Sequence, residues 1–176
     1  MEYIHFAEND VNLDSPVGFY VFGDTTDTIT IQNSEFNDNK NKNTTNGYGA
    51  GFVTASSVAS GKNVFSFQSC TFDNNEAVYA PALKFVGTSL TINECDFRDN
   101  TATNGAAAAV SRAGNGGAIS YTVNEPSALT ITDSSFNGNA AMQNAADIFI
   151  DRANTDVTNV MTLVITGTTF TSATSE

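Results

Sequence analysis

The side chains with most capacity for chemistry in this chain are its carboxylates, two cysteines, one histidine and a series of asparagines at a fixed distance from phenylalanine. Glu35 and Asp96 stand one residue before a phenylalanine, Asp73 one after, and Glu8, Asp38 and Asp99 two after. If those phenylalanines share a register, several carboxylates collect along one outer edge, and gathered carboxylates can hold calcium weakly. No other cofactor is expected. The same grouping raises acid–base chemistry on a polysaccharide, as a lyase or hydrolase, but a lyase needs a basic residue beside its metal cluster, and only Arg98 is near in register. A solvated acidic face is therefore expected, with no catalytic residue and no metal ligand.

Cys70 and Cys95 lie two residues before Phe72 and Phe97, where other copies have Ser34, Ser134 and Thr168. In register they are stacked neighbours. Adjacent strands bring their Cα atoms within disulfide range, but side chains pointing the same way are poorly aimed for its dihedral. Buried stacked thiols and a disulfide both stay open, whereas a metal or redox pair lacks further ligands. His5 flanks Phe6 and points outward by phase, as a surface histidine. Asn9, Asn39, Asn75, Asn100 and Asn139 each follow a phenylalanine by three residues. On strands about 4.8 Å apart their amides can pair donor to acceptor as a structural ladder, and asparagine tolerates a left-handed corner.

What must position these residues is a repeat. Ile29-x-Ile31, Phe65-x-Phe67, Leu90-x-Ile92, Leu129-x-Ile131 and Leu163-x-Ile165 precede Phe36, Phe72, Phe97, Phe136 and Phe170, and an incomplete copy opens the chain at Phe6. The apolar alternation is that of a strand with one buried face, and it slips by one residue before each phenylalanine. Asn33, Ser69, Glu94, Asp133 and Gly167 mark that slip as a corner. A further apolar strand follows, as in Leu83-Lys84-Phe85-Val86 and Ile148-Phe149-Ile150.

Three short strands with sharp corners cannot bury their faces alone, but can as stacked coils. The expected fold is all-β, a parallel β-helix (solenoid) of about five to six coils. Phe6, Phe36, Phe72, Phe97, Phe136 and Phe170 form one core column, with Ile31, Phe67, Ile92, Ile131 and Ile165 as another. Successive phenylalanines are 25 to 39 residues apart, against roughly 20 to 25 needed for three strands and corners. Inserted loops are therefore expected over 38–48, 54–63, 101–115, 122–127 and 152–159. An antiparallel sandwich is the rival, but it gives no reason for in-phase columns of Phe and Asn.

At 176 residues the chain fits one domain spanning 1–176, with both end coils incomplete. Only 7 lysines and arginines and a net charge of -12 argue against nucleic acid and anionic membranes as partners. No apolar stretch approaches the roughly 18 to 20 residues of a membrane span. Asn43-Thr44-Thr45 is a glycosylation sequon in a polar loop. The outward positions Thr30, Ser66, Thr91 and Thr130 resemble, irregularly, the ice-contacting face of some β-helical antifreeze proteins; threonine is also simply a good strand residue.

The Phe-x-x-Asn element, five times over, and Gly116-Gly117-Ala118-Ile119 resemble the repeats of chlamydial polymorphic outer membrane proteins and related adhesin-like β-helices. The Gly-Gly-Ala-Ile half is degraded elsewhere, as at Ala145-Ala146-Asp147-Ile148. This resemblance implies a right-handed, surface-exposed β-helix used in adhesion. Incomplete end coils imply that one copy continues into the next, a head-to-tail contact that does not close. The expectation is an extracellular or cell-surface structural protein, the subunit of a filament or adhesive rod. The alternative is a monomeric adhesin or glycan-binding module that recognises glycans or a cell-surface partner through its loops.

Overall fold

The computed structural model describes residues 1–11, 19–22, 28–43, 49, 51–55, 63–103, 115–123, 126–142, 145–152 and 160–171. These form strands and corners with no helix among them. The strands fall into four sheets, and each sheet takes every fourth strand along the chain. What we call the threonine sheet contains Thr28–Gln32, Val64–Gln68, Ser89–Asn93, Ser127–Thr132 and Met161–Thr166. The phenylalanine sheet contains His5–Ala7, Glu35–Asn37, Thr71–Asp73, Asp96–Arg98, Ser135–Asn137 and Thr169–Thr171. Pairing within every sheet is parallel, and successive phenylalanines are direct partners. Parallel pairing in sequence order excludes the sandwich.

Two more sheets complete each repeat. A return sheet contains Phe19–Phe22, Phe52–Ala55, Leu83–Val86, Ile119–Val123 and Ile148–Arg152. A short sheet of two-residue strands contains Asp10–Val11, Lys40–Asn41, Glu76–Ala77, Thr101–Ala102 and Ala140–Ala141. The sequence suggested three strands per repeat, and the structure has four. Two residues carry no periodicity, so the short strand hid at the start of segments expected to be loops. Residues 54–55, 122–123, 127 and 152, also expected in loops, belong to strands because the strands extend past their apolar residues; the parts of the expected loops over 44–48, 56–62, 104–114, 124–125 and 153–159 lie outside the described residues.

Corners are set by left-handed backbone. Asn33, Ser69, Glu94, Asp133 and Gly167 have φ of 50°, 50°, 52°, 48° and 61°, which places the expected slip at a true bend. A second left-handed position, at Glu8, Asp38, Asn74, Asp99 and Gly138, comes one residue before the ladder asparagine rather than at it. A third, at Gly49, Ala80, Gly116 and Ala145, opens the return strand. Gly116 is thus the left-handed member of the Gly-Gly pair. Gly117 is small for a different reason: a Cβ there would fall well inside contact with the carbonyl oxygens of Ala146 and Ala140.

The core lies between the threonine, phenylalanine and return sheets. Phe36 meets Phe52 edge-on at 5.6 Å, Phe52 meets Phe67 at 5.0 Å and Phe67 meets Phe72 at 5.7 Å. Phe36, Phe72, Phe97, Phe136 and Phe170 stack face to face at 5.0, 4.7, 4.7 and 4.9 Å. That separation is the strand spacing itself, so ring stacking and backbone pairing have the same period. Each wholly buried ring contributes about 2–3 kcal/mol through burial and about 0.5–1.5 kcal/mol more per stacked pair. Phe6, at one end, is half-buried against this core.

Candidate functional site

The predicted asparagines come together in one hydrogen-bonded chain. Nδ2 of Asn9 donates to Oδ1 of Asn39 at 2.8 Å, Asn39 to Asn75 at 3.0 Å, Asn75 to Asn100 at 2.9 Å and Asn100 to Asn139 at 2.9 Å. The second Nδ2 proton goes to the carbonyl of the phenylalanine one repeat back, as in Asn75 to Phe36 at 2.7 Å and Asn100 to Phe72 at 2.9 Å. The Oδ1 of Asn39, Asn75, Asn100 and Asn139 also accepts the backbone N–H of the preceding asparagine, at 3.4, 3.2, 3.1 and 3.1 Å. Donors and acceptors are thereby matched at side chains that are essentially wholly buried, which is the condition for burying an amide at no net penalty. Asp147 closes the chain by accepting from Asn139 at 3.0 Å. Burial raises the Asp147 carboxyl above its ordinary range, and the Asn139 amide pulls the other way. Asp147 stands where Ala118 and Ala82 stand in other repeats, and sequence alone gave no sign of its role.

The cysteine position is part of a second column, aligned in the sequence, whose shared backbone bond the sequence did not reveal. Ser34, Cys70, Cys95, Ser134 and Thr168 each donate to the carbonyl two residues earlier, at 2.8, 3.3, 3.3, 2.8 and 3.1 Å. This bond ties down the left-handed corner that lies between donor and acceptor. Backbone N–H groups of Ile4 and Cys95 reach the hydroxyls of Ser34 and Ser134, both at 3.1 Å. Both cysteines are buried and unbridged. The Cys70 thiol beside it, and then burial, push the Cys95 thiol far up, so it holds its proton.

Asp38, Asp96 and Asp99 lie within electrostatic range of Asp73, as the register suggested. Arg98 pairs with Asp73 at 3.2 Å and with Asp96 at 3.1 Å, and Asp96 accepts from Ser135. Burial raises the Asp73 carboxyl; Arg98 lowers it, and Asp99, Asp38 and Asp96 add to the rise. Asp38 accepts from Asn74 at 2.7 Å, and Glu35 faces the exposed His5 at 3.0 Å. Among the described residues no three His, Cys, Asp or Glu side chains form a metal-sized group. Asn43 is half-buried and its N–H donates to Asn41 Oδ1 at 3.1 Å; Thr44 and Thr45 lie outside the described residues.

The outward face of the threonine sheet is unlike the others. Thr30, Ser66, Thr91, Thr130 and Val164 are direct partners across its five strands, with Gln32, Gln68, Asn93, Thr132 and Thr166 beside them. No outward position on these strands carries a charge. No protein-family model, curated protein or solved structure matches the chain. Among the described residues no helix is long and apolar enough to cross a membrane.

Proposed function

We propose that the chain is a right-handed parallel β-helix that serves as a segment of an extracellular adhesive or structural rod and joins its copies head to tail. The observation that carries this reading is the last described repeat. Leu163, Ile165 and Phe170 are 50, 40 and 46 % exposed, although their partners Leu129, Ile131 and Phe136 are wholly buried. Inward residues in register, on strands with an open edge, are the surface onto which a further repeat pairs. At the other end Ile4, Phe6 and Ile29 are only partly buried, and they supply the complementary layer. The contact is heterologous, so it propagates. The Phe-x-x-Asn resemblance supports a cell-surface setting, and the reading assigns no enzymatic activity.

The test is a concentration series in sedimentation velocity with negative-stain imaging. Rods that lengthen with concentration are expected, and Ile165→Asp, which places a charge in the joint, is expected to return the material to monomer. A wild-type chain that stays monomeric up to about millimolar concentration, or rods indifferent to Ile165→Asp, overturns the reading.

A further inference from the structure

Cys70 and Cys95 are the only cysteines of the chain, and they occupy the same corner position in neighbouring repeats. The bond they make there does not account for them. Ser34 and Ser134 hold the same corner through hydroxyls at 2.8 Å, whereas the thiols do so at 3.3 Å and are the weaker donors. What two thiols can do and two hydroxyls cannot is join. Thr71 and Phe72 pair with Asp96 and Phe97, and the Asp96 N–H donates to the Cys70 carbonyl at 2.9 Å. Cys70 and Cys95 are therefore the next residues along that pair of strands. Strand spacing sets their Cα atoms about 4.8 Å apart, inside the roughly 4.4–6.8 Å over which a disulfide closes. The thiols already meet: Cys95 bonds to the Cys70 sulfur and lowers its pKa. Each sulfur has only to turn about its own Cα–Cβ bond, away from a carbonyl and toward the other. That turn strands nothing, because the Gln68 carbonyl keeps the Asn33 N–H and the Asn93 carbonyl keeps the Ser69 N–H, both at 3.0 Å.

We infer that Cys70 and Cys95 are the two halves of a disulfide staple between neighbouring repeats, closed by a small-molecule disulfide while the repeats assemble and sealed once they have stacked. The staple encircles one full turn. Thr71–Asp73, Glu76–Ala77, Leu83–Val86 and Ser89–Asn93 lie between the two cysteines, which are 25 residues apart, the shortest repeat in the chain. In the open chain one cysteine, as thiolate, attacks a disulfide RSSR such as oxidised glutathione; the RS–SR bond breaks, RS⁻ leaves and a mixed disulfide forms. The other cysteine, as thiolate, attacks the protein sulfur of that mixed disulfide, and the second RS⁻ leaves. The two thiol protons end on two RSH, so the chain loses two electrons and two hydrogens and RSSR is reduced. In the stacked chain the exchange stops. Cys70 and Cys95 are 1 and 2 % exposed, which shuts glutathione out, and Cys95 holds its proton, which removes its nucleophile. The redox state reached during folding is the one the folded chain keeps. The inference concerns a single chain and is independent of how copies meet.

The experiment is refolding of the 176-residue chain from urea, once in reduced glutathione alone and once in reduced plus oxidised glutathione. Intact mass, peptide mapping without reductant and a urea titration follow. With oxidised glutathione the expected product is a monomer about 2 Da lighter, in which one bridged peptide pair holds Cys70 and Cys95. Its unfolding equilibrium constant should be about a hundredfold lower than that of the reduced chain, read as a higher urea midpoint. Dithiothreitol should leave the bridge intact until urea unfolds the chain, and oxidised glutathione added after folding in reductant should leave both thiols free. Cys70→Ser and Cys95→Ser should match the wild type closely in reduced glutathione and show no rise in midpoint with the oxidised form. The inference is overturned by two free thiols after refolding with oxidised glutathione, by glutathione retained on either cysteine, or by bridges between chains in place of the internal one. A bridged chain that unfolds at no more urea than the reduced chain overturns it too, as does a folded reduced chain that oxidised glutathione bridges as fast as the unfolded one.

Discussion

Replacing Asn75 with alanine tests whether the asparagine chain holds the repeats together or only fills space. Asn75 is wholly buried and its side chain takes part in bonds to Asn100 Oδ1 at 2.9 Å, to the Phe36 carbonyl at 2.7 Å, and from Asn39 Nδ2 and N at 3.0 and 3.2 Å. After truncation Asn100 Oδ1 keeps the backbone N–H of residue 75 at 3.1 Å, and Asn39 Nδ2 keeps the Phe6 carbonyl at 3.0 Å. What is stranded is the Asn39 N–H and one Asn39 Nδ2 proton, each costing about 1–3 kcal/mol, in addition to a small cavity. A loss of about 3–5 kcal/mol follows, a large share of the roughly 5–15 kcal/mol that holds a domain folded. Asn9→Ala, at the half-buried start of the chain, should cost only about 1 kcal/mol. Asn75→Asp sharpens the test. Its carboxylate still accepts from Asn39 but turns lone pairs toward Asn100 Oδ1 and the Phe36 carbonyl, so its folded-state pKa rises above the unfolded value of about 3.9. The deficit against wild type should be greatest at neutral pH and shrink as pH falls through the raised folded pKa. Urea midpoints followed by far-UV circular dichroism measure all three. An Asn75→Ala loss under about 1 kcal/mol, or an Asn75→Asp deficit that does not change with pH, refutes the ladder argument.

Three further outcomes can be checked on the same apparatus. Gly117→Ala places a methyl group against the Ala146 and Ala140 carbonyls, which are backbone and cannot swing aside, so it should destabilise by about 2 kcal/mol or more. Cys95→Ser should fall within about 1 kcal/mol of wild type, because Ser34 and Ser134 already make the same corner bond; in wild type both buried thiols should resist a thiol reagent until the chain unfolds. Asp147→Asn should raise the urea midpoint at neutral pH. A carboxyl whose folded pKa is raised by burial weakens the fold when ionised, so the variant's advantage should vanish as pH falls through that value.

Much of the framework was legible because the apolar residues repeat with the period of the backbone they serve. Phe36, Phe72, Phe97 and Phe136 could be aligned by eye, and alignment alone predicted that the asparagines three residues on would meet. The corner at Asn33, Ser69 and Glu94 was legible as a slip in alternation. Other features were hidden for physical reasons. The short strands at Lys40–Asn41 and Glu76–Ala77 have too few residues to alternate. The second left-handed corner was assigned to asparagine, the residue type known to tolerate it, although Glu8, Asp38 and Asp99 one place earlier adopt it. Asp147 was unreadable because it works out of its column, standing immediately before the return strand where its counterparts Ala82 and Ala118 are small and apolar. The serine, cysteine and threonine column was visible as an equivalence, but its shared backbone bond needed coordinates.

The asparagine chain also has an electrical direction. Every amide hands one Nδ2 proton to the Oδ1 of the higher-numbered repeat, so the amide dipoles add head to tail along the stack instead of cancelling, and polarise one another as they do so. The positive pole falls at Asn139, and there the acceptor is the carboxylate of Asp147. An acid at the positive pole is the arrangement by which an α-helix stabilises a negative side chain at its N-terminus, built here from side chains in a protein without a described helix. The two ends of the stack therefore differ in sign as well as in shape, and copies that meet end to end are favoured in one orientation and opposed in the other.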